Sequence, residues 1–151
     1  MVKKHIPLLA IMLAVFLLLT GCKEYKDSNG PDDYTLQSLT EADILTGIGC
    51  VKYSAVESRV NDGRSVRVKT LHGVETLAYF SSSGTYTLQL SSEVTKGNAR
   101  LVLCTRKQIL HDFDLNGADQ SWTFTVEDAT VYLRIAGEDC GFSVKYTACR
   151  D

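Results

Sequence analysis

Ser121-Trp122-Thr123-Phe124-Thr125-Val126, followed by Val131-Tyr132-Leu133-Arg134-Ile135 after a Glu127-Asp128 turn, decides the fold class of this chain. In both runs every second residue is apolar. A period of two buries one face of a pleated strand and wets the other, whereas a helix needs a period near 3.6. The pattern recurs on either side. Tyr86, Leu88 and Leu90 alternate with Thr85, Thr87 and Gln89, and Val66 and Val68 with Arg67 and Lys69. Phe142, Val144 and Tyr146 alternate with Ser143, Lys145 and Thr147. Val51, Tyr53 and Ala55 alternate with Lys52, Ser54 and Val56, and Leu101 and Leu103 with Val102 and Cys104. Turn signals at Asn61-Asp62-Gly63, His72-Gly73, Ser83-Gly84, Lys96-Gly97-Asn98 and Asn116-Gly117 separate the runs at intervals of about 8–14 residues. The spacing predicts an all-β domain, a two-sheet antiparallel β-sandwich of about eight or nine strands. The one helix start is Thr40-Glu41-Ala42-Asp43, which Gly47 and Gly49 limit to a turn or two.

The N-terminus has a different grammar. Lys3 and Lys4 precede an apolar run over residues 6–19, and Leu19-Thr20-Gly21-Cys22 closes it. A positive start, an apolar stretch and a small-residue pair make an export signal. The run has 14 residues, against about 20 for a membrane span. With a cysteine after the small pair, the stretch resembles the lipobox of bacterial lipoproteins. That resemblance implies cleavage before Cys22, acylation of Cys22, and anchorage on the extracytoplasmic side of a bacterial membrane in the cell envelope. Residues 1–21 are then a signal peptide, 22–39 the acylated cysteine with a flexible tether, and 40–151 the sandwich domain. Residues 23–33 are polar apart from Tyr25 and cannot bury a core.

Removing the signal leaves 14 basic against 18 acidic residues, a net charge of −4. That balance excludes a nucleic-acid binder working through bulk charge. The densest basic stretch, Lys52, Arg59, Arg64, Arg67 and Lys69, is interrupted by Glu57 and Asp62 and fits the wet face of a strand. Four cysteines remain in the domain, Cys50, Cys104, Cys140 and Cys149. An even number in an exported chain points to disulfides, with buried thiols as the rival. No pair has CxxC spacing and no histidine is close to a cysteine, which argues against zinc.

The second half, roughly residues 64–147, resembles bacterial jelly-roll modules of the pre-peptidase C-terminal and carbohydrate-binding-module kind. The matching stretches are Lys96-Gly97-Asn98-Ala99-Arg100-Leu101-Val102-Leu103, Ser121-Trp122-Thr123-Phe124-Thr125-Val126, Val131-Tyr132-Leu133-Arg134-Ile135-Ala136-Gly137 and Gly141-Phe142-Ser143-Val144. The link after Leu103 is Thr105-Arg106-Lys107-Gln108 rather than the Asp/Gly-rich loop such modules often carry. Jelly rolls often set their terminal strands side by side, which brings Cys50 to Cys149. Parity turns both outward; Cys104 ends a central strand, and Cys140 is expected in the Glu138-Asp139 loop, free to reach it. This pairing is the expected one of the three possible.

Candidate chemistry is sparse. Asp112-Phe113-Asp114-Leu115-Asn116-Gly117 fits the first half of a calcium loop, with Asp112, Asp114 and Asn116 as ligands, but the closing position is Thr123 instead of Glu. Asp112 and Asp114 otherwise point to water from a strand. His111 falls in an inward row with Ile109 and Phe113. No G-x-S-x-G occurs, and Ser81-Ser82-Ser83-Gly84 suits a hairpin loop. No metal, cofactor or catalysis is expected. Parity puts Trp122 in the core with Phe124 and Val126. Tyr132 and Arg134 share the opposite face from Val131, Leu133 and Ile135, where an outward aromatic beside a guanidinium could bind a ligand. The polar rows Thr85, Thr87, Gln89 and Ser121, Thr123, Thr125 could also meet a glycan or peptide. The expected function is a membrane-anchored, non-catalytic binding module for a glycan or an envelope protein. The alternative is a structural accessory subunit without a ligand pocket.

Overall fold

The computed structural model describes residues 38–151. The signal segment, Cys22 and nearly all of the tether lie outside the described residues. Six strands make one antiparallel sheet: β1 (Cys50–Val60), β2 (Gly63–Phe80), β3 (Gly84–Cys104), β4 (Ile109–Phe113), β5 (Gln120–Val126) and β6 (Val131–Arg150). The order is β1-β2-β6-β3-β4. One edge of β3 runs beside β6 almost throughout; the other is divided, with β5 along 84–90 and β4 along 101–104.

The all-β expectation therefore holds, but with six strands in place of eight or nine and one hydrogen-bonded sheet in place of two. The reason lies in the turn signals. His72-Gly73 and Lys96-Gly97-Asn98 do not end strands; β2 and β3 run through them for 18 and 21 residues, and β6 for 20. The ladders shift register at these points, between Val68 and Gly73 and between Val94 and Asn98. Such irregularities bend a strand without breaking it. At Gly97, φ is +67°, and a Cβ would come within 2.6 Å of the Asp139 carbonyl oxygen, so only glycine fits this close approach.

The bend folds the sheet onto itself. Phe80 meets Tyr86 and Phe124 across the fold, with ring centroids 5.3 and 5.1 Å apart. The Tyr146 hydroxyl donates to the Leu77 carbonyl at 2.6 Å. One half-sheet brings Val66, Val68, Leu88, Phe124, Phe142 and Val144 to a single core; the other brings Leu71, Leu101, Leu103, Phe113, Leu133 and Ile135. Fully burying each such side chain stabilises by about 1.5–3 kcal/mol.

Each half-sheet also has an outer face. On the second half that face carries Val74, Val102, Cys104 and Ala136, and helix α1 (Glu41–Thr46) covers it with Ile44 and Leu45. The helix starts as expected: the Thr40 side chain accepts from the Asp43 N–H and the Asp43 carboxylate accepts from the Thr40 N–H, a reciprocal cap. Gly47, at φ +68°, ends it. Leu39, assigned to the tether by sequence, belongs to the fold: its N–H donates to Glu138 Oε1 at 2.6 Å and its side chain joins this cluster.

The expected disulfides are absent; all four domain cysteines are free thiols. Cys104 lies under the helix and Cys140 in the central core, on opposite faces of the sheet. Cys50 is opposite Gly73, which pairs with Gly137 of β6, whereas Cys149 lies twelve residues farther along that strand. The terminal strands are not neighbours, because β2 lies between β1 and β6. Burial raises the thiol pKa at Cys104 and Cys140. At Cys50, burial and then the Glu75 carboxylate, which accepts from Sγ at 2.8 Å, push it up to about 12.

Candidate functional site

The outer face of the first half-sheet has no such cover among the described residues. Its side chains are fixed by register with the core on the other side. Leu88 and Leu90 point inward, so Thr87 and Gln89 point out; Val144 and Tyr146 point inward, so Ser143, Lys145 and Thr147 point out. Pairing aligns these into rows across the strands. Ser121, Gln89 and Thr147 form one row, and Ser91, Lys145, Ser65 and Ser58 the next. Glu93, Ser143 and Arg67 form a third.

These rows floor an open cleft of about 660 Å³, lined by side chains that include Ser58, Ser65, Gln89, Ser91, Ser121, Lys145 and Thr147, with Asp119 and Arg64 beside them. A second hollow of about 490 Å³ shares Ser91 and Lys145 with it and extends to Arg67, Glu93 and Asn116. Hydroxyls donate and accept, Gln89 offers both groups, and Lys145 adds donors with charge. The result is a wide trough of mostly polar side chains, with Val60 also lining it. It can pair with a ligand that carries many hydroxyl or amide groups along its length.

The two polar rows expected from sequence are brought together here. Thr85, Thr87 and Gln89 stand opposite Thr125, Thr123 and Ser121. The Thr87 and Thr123 hydroxyls are 3.2 Å apart, and Gln89 and Ser121 line the cleft. Ser58, Ser65, Ser91, Lys145 and Thr147 were missed as site members. Their signal was the serine, threonine or lysine at every second position of β6 and its neighbours.

Tyr132 and Arg134 are elsewhere. They do share a face, with the guanidinium carbon 4.3 Å from the Tyr132 ring centre, but that face lies under α1. Arg134 is 4% exposed. Its Nη1 donates to the carbonyls of Ile44 and Leu45 at 2.6 and 2.7 Å, and its Nε to Thr76 Oγ1 at 3.2 Å. The expected outward pair is a clasp on the helix end. Alternation placed it on the correct face but could not show that the face is covered.

The calcium candidates also point apart. The Asp112 carboxylate faces Arg100 in two hydrogen bonds of 2.6 and 2.9 Å, which hold its pKa below the usual carboxylate range. Asp114 Oδ1 accepts from the Asn116 N–H within a turn, and Asn116 Oδ1 accepts from the Val94 N–H. No three potential metal-ligating side chains gather among the described residues. Trp122 keeps the parity of Phe124 but sits at the open margin of the core, 38% exposed, stacked on His111 at 3.8 Å. His111 keeps company with Phe113, whereas Ile109 turns to the helix side because the β3–β4 ladder shifts beyond Leu103.

No protein-family model matches the chain, and no curated protein is significantly similar to it.

Proposed function

We propose that this chain is a lipoprotein anchored through Cys22 in the cell envelope, and that its domain is a non-catalytic module binding a glycan. The observation that carries the reading is the polar trough, which is uncovered among the described residues. Helix α1 buries one outer face, while the other presents Ser, Thr, Gln and Lys side chains across five strands around a cleft of about 660 Å³. A sugar chain supplies hydroxyls at short, regular spacing, which rows of hydroxyl and amide side chains can meet, with Val60 as an apolar contact in the same trough. The all-β character of the domain is compatible with this role, and the sequence resemblance of residues 64–147 to carbohydrate-binding modules points the same way. A second reading, docking on another envelope protein, draws support from the exposed apolar side chains of β1, among them Tyr53, Val56 and Val60.

Glycan-array and envelope-polysaccharide pull-down assays with the full chain test the first reading. Ser91 belongs to both hollows. Ser91→Trp should abolish glycan retention, and Lys145→Ala should weaken it, with circular dichroism unchanged. Retention equal to that of the unaltered chain in both variants would refute the assignment. Palmitate labelling that survives Cys22→Ser would refute the anchor.

A further inference from the structure

Strand β1 is the terminal strand of the sheet, with one edge unpaired among the described residues. It is 11 residues long, contains no proline and is exposed on both faces from Tyr53 to Val60. Protein edges are ordinarily blunted by short strands, prolines or covering loops. This one is long and proline-free; it carries the charges of Lys52, Glu57 and Arg59 and an irregularity at Ser54, but it also offers apolar side chains: Tyr53, Val56 and Val60 are 66%, 65% and 70% exposed.

From the register and the residue types, we infer that β1 pairs with β1 of a second copy of this chain, antiparallel, about a two-fold axis through Ser58. The two-residue turn Asn61-Asp62 joins Val60 to Gly63, so Val60 is hydrogen-bonded to β2. Alternation gives Ser58 and Val56 to β2 as well and turns the backbone groups of Glu57 and Arg59 to the free edge. An axis through Ser58 sets Glu57 of one copy opposite Arg59 of the other, twice, at positions where backbone hydrogen bonds can form. It sets Val56 opposite Val60 on the other face, also twice. Both the charged and the apolar side chains are thus self-complementary, as a two-fold interface requires. The stretch used, residues 55–60, begins after Ser54, whose φ of +52° interrupts the edge. This pairing goes beyond glycan binding and does not depend on it. Ser58 and Val60 also line the trough, so it would bring the troughs of the two copies to a common seam.

The test uses the full chain in detergent. Single substitutions Glu57→Arg and Arg59→Glu each place like charges opposite one another, and each should raise the dimer dissociation constant about tenfold or more by sedimentation. The double exchange should return it to within about threefold of the starting value. A partner strand from a different protein would not be restored by the exchange. Independently, a Ser58→Cys/Cys149→Ser variant should form a covalent dimer on mild oxidation. Residues facing each other at a non-hydrogen-bonded position lie about 4.5 Å apart at Cα, within the disulfide range of about 4.4–6.8 Å. Ser65→Cys/Cys149→Ser, one strand inward, should not. A chain that stays monomeric at all concentrations, a double exchange that fails to restore association, or equal cross-linking at Ser65 overturns the proposal.

Discussion

Replacing Arg134 with alanine should detach the helix that covers half of the sheet. The guanidinium is buried and has no carboxylate partner among the described residues; its neighbours include the Ile44 and Leu45 carbonyls, Thr76 Oγ1 and the Tyr132 ring. Those carbonyls belong to the last turn of α1, where the helix has no acceptor-satisfying bonds of its own and a cation is favoured. Hydrogen bonds to a charged group contribute about 1.5–3 kcal/mol each. Part of the loss is recovered when water reaches the freed carbonyls, so we expect a net cost of about 3 kcal/mol. An unfolding entropy of roughly 2.1 cal/mol/K per residue over the 114 described residues turns this into a fall in melting temperature of about 12 °C. Arg134→Lys should lose about half as much, because a single ammonium cannot span the carbonyls and Thr76 together. Urea unfolding measures the cost, and amide exchange across residues 41–46 should rise in both variants. A cost below about 1 kcal/mol for Arg134→Ala, or unchanged exchange in the helix, would refute the clasp.

Three further outcomes follow from the same geometry. Gly47→Ala should cost about 1–2 kcal/mol from its left-handed backbone alone, and more in the native chain, where a Cβ would lie 2.9 Å from the Arg134 guanidinium; in Arg134→Ala the surplus should vanish. The Asp112 carboxyl is held low by the Arg100 hydrogen bonds, so its contribution is present above about pH 4 and is lost as pH falls through the lowered value. Arg100→Ala should flatten that acid limb by no more than about 1 kcal/mol, since both partners are substantially exposed. For Cys50 the sign is opposite: its raised pKa contributes stability that is full below the ordinary thiol value and lost as pH rises toward about 12. At pH 8 in native buffer, maleimide should therefore modify the exposed Cys149 before Cys50, and Glu75→Gln should quicken the reaction at Cys50.

Legibility followed the range of the forces involved. Alternation is local, so the strand faces were readable in Val66 and Val68, Leu88 and Leu90, and Phe142, Val144 and Tyr146, all of which point inward. The helix cap was readable in four residues, Thr40 to Asp43. Strand continuity was not. His72-Gly73 and Lys96-Gly97-Asn98 carry the chemistry of a turn, yet the neighbouring strand bends at the same level and the ladders resume beyond a register shift. Cysteine partners and the cover over Arg134 depend on which strands become neighbours, and a period of two does not encode that.

One signal for the cover was nevertheless present. Leu101-Val102-Leu103-Cys104 has no polar residue on either parity, and all four side chains are fully buried. An uninterrupted apolar run marks a strand covered on both sides, while true alternation marks one face in water. Along β3 the pattern passes from Thr85-Tyr86-Thr87-Leu88-Gln89, apolar on one parity only, to that uninterrupted run. Residues 131–136 of β6 likewise bury both parities, with Tyr132 only partly covered, while residues 142–147 alternate. The change falls on both strands near the bend, at Gly97 and Gly137. Each long strand therefore carries, in its own order, the instruction that one half be covered twice and the other once. The short apolar segment around Ile44 meets the first demand. The second half of the instruction leaves a polar face open, which is why the trough of Gln89, Ser91 and Lys145 belongs to the design of the sheet and is not an accident of its packing.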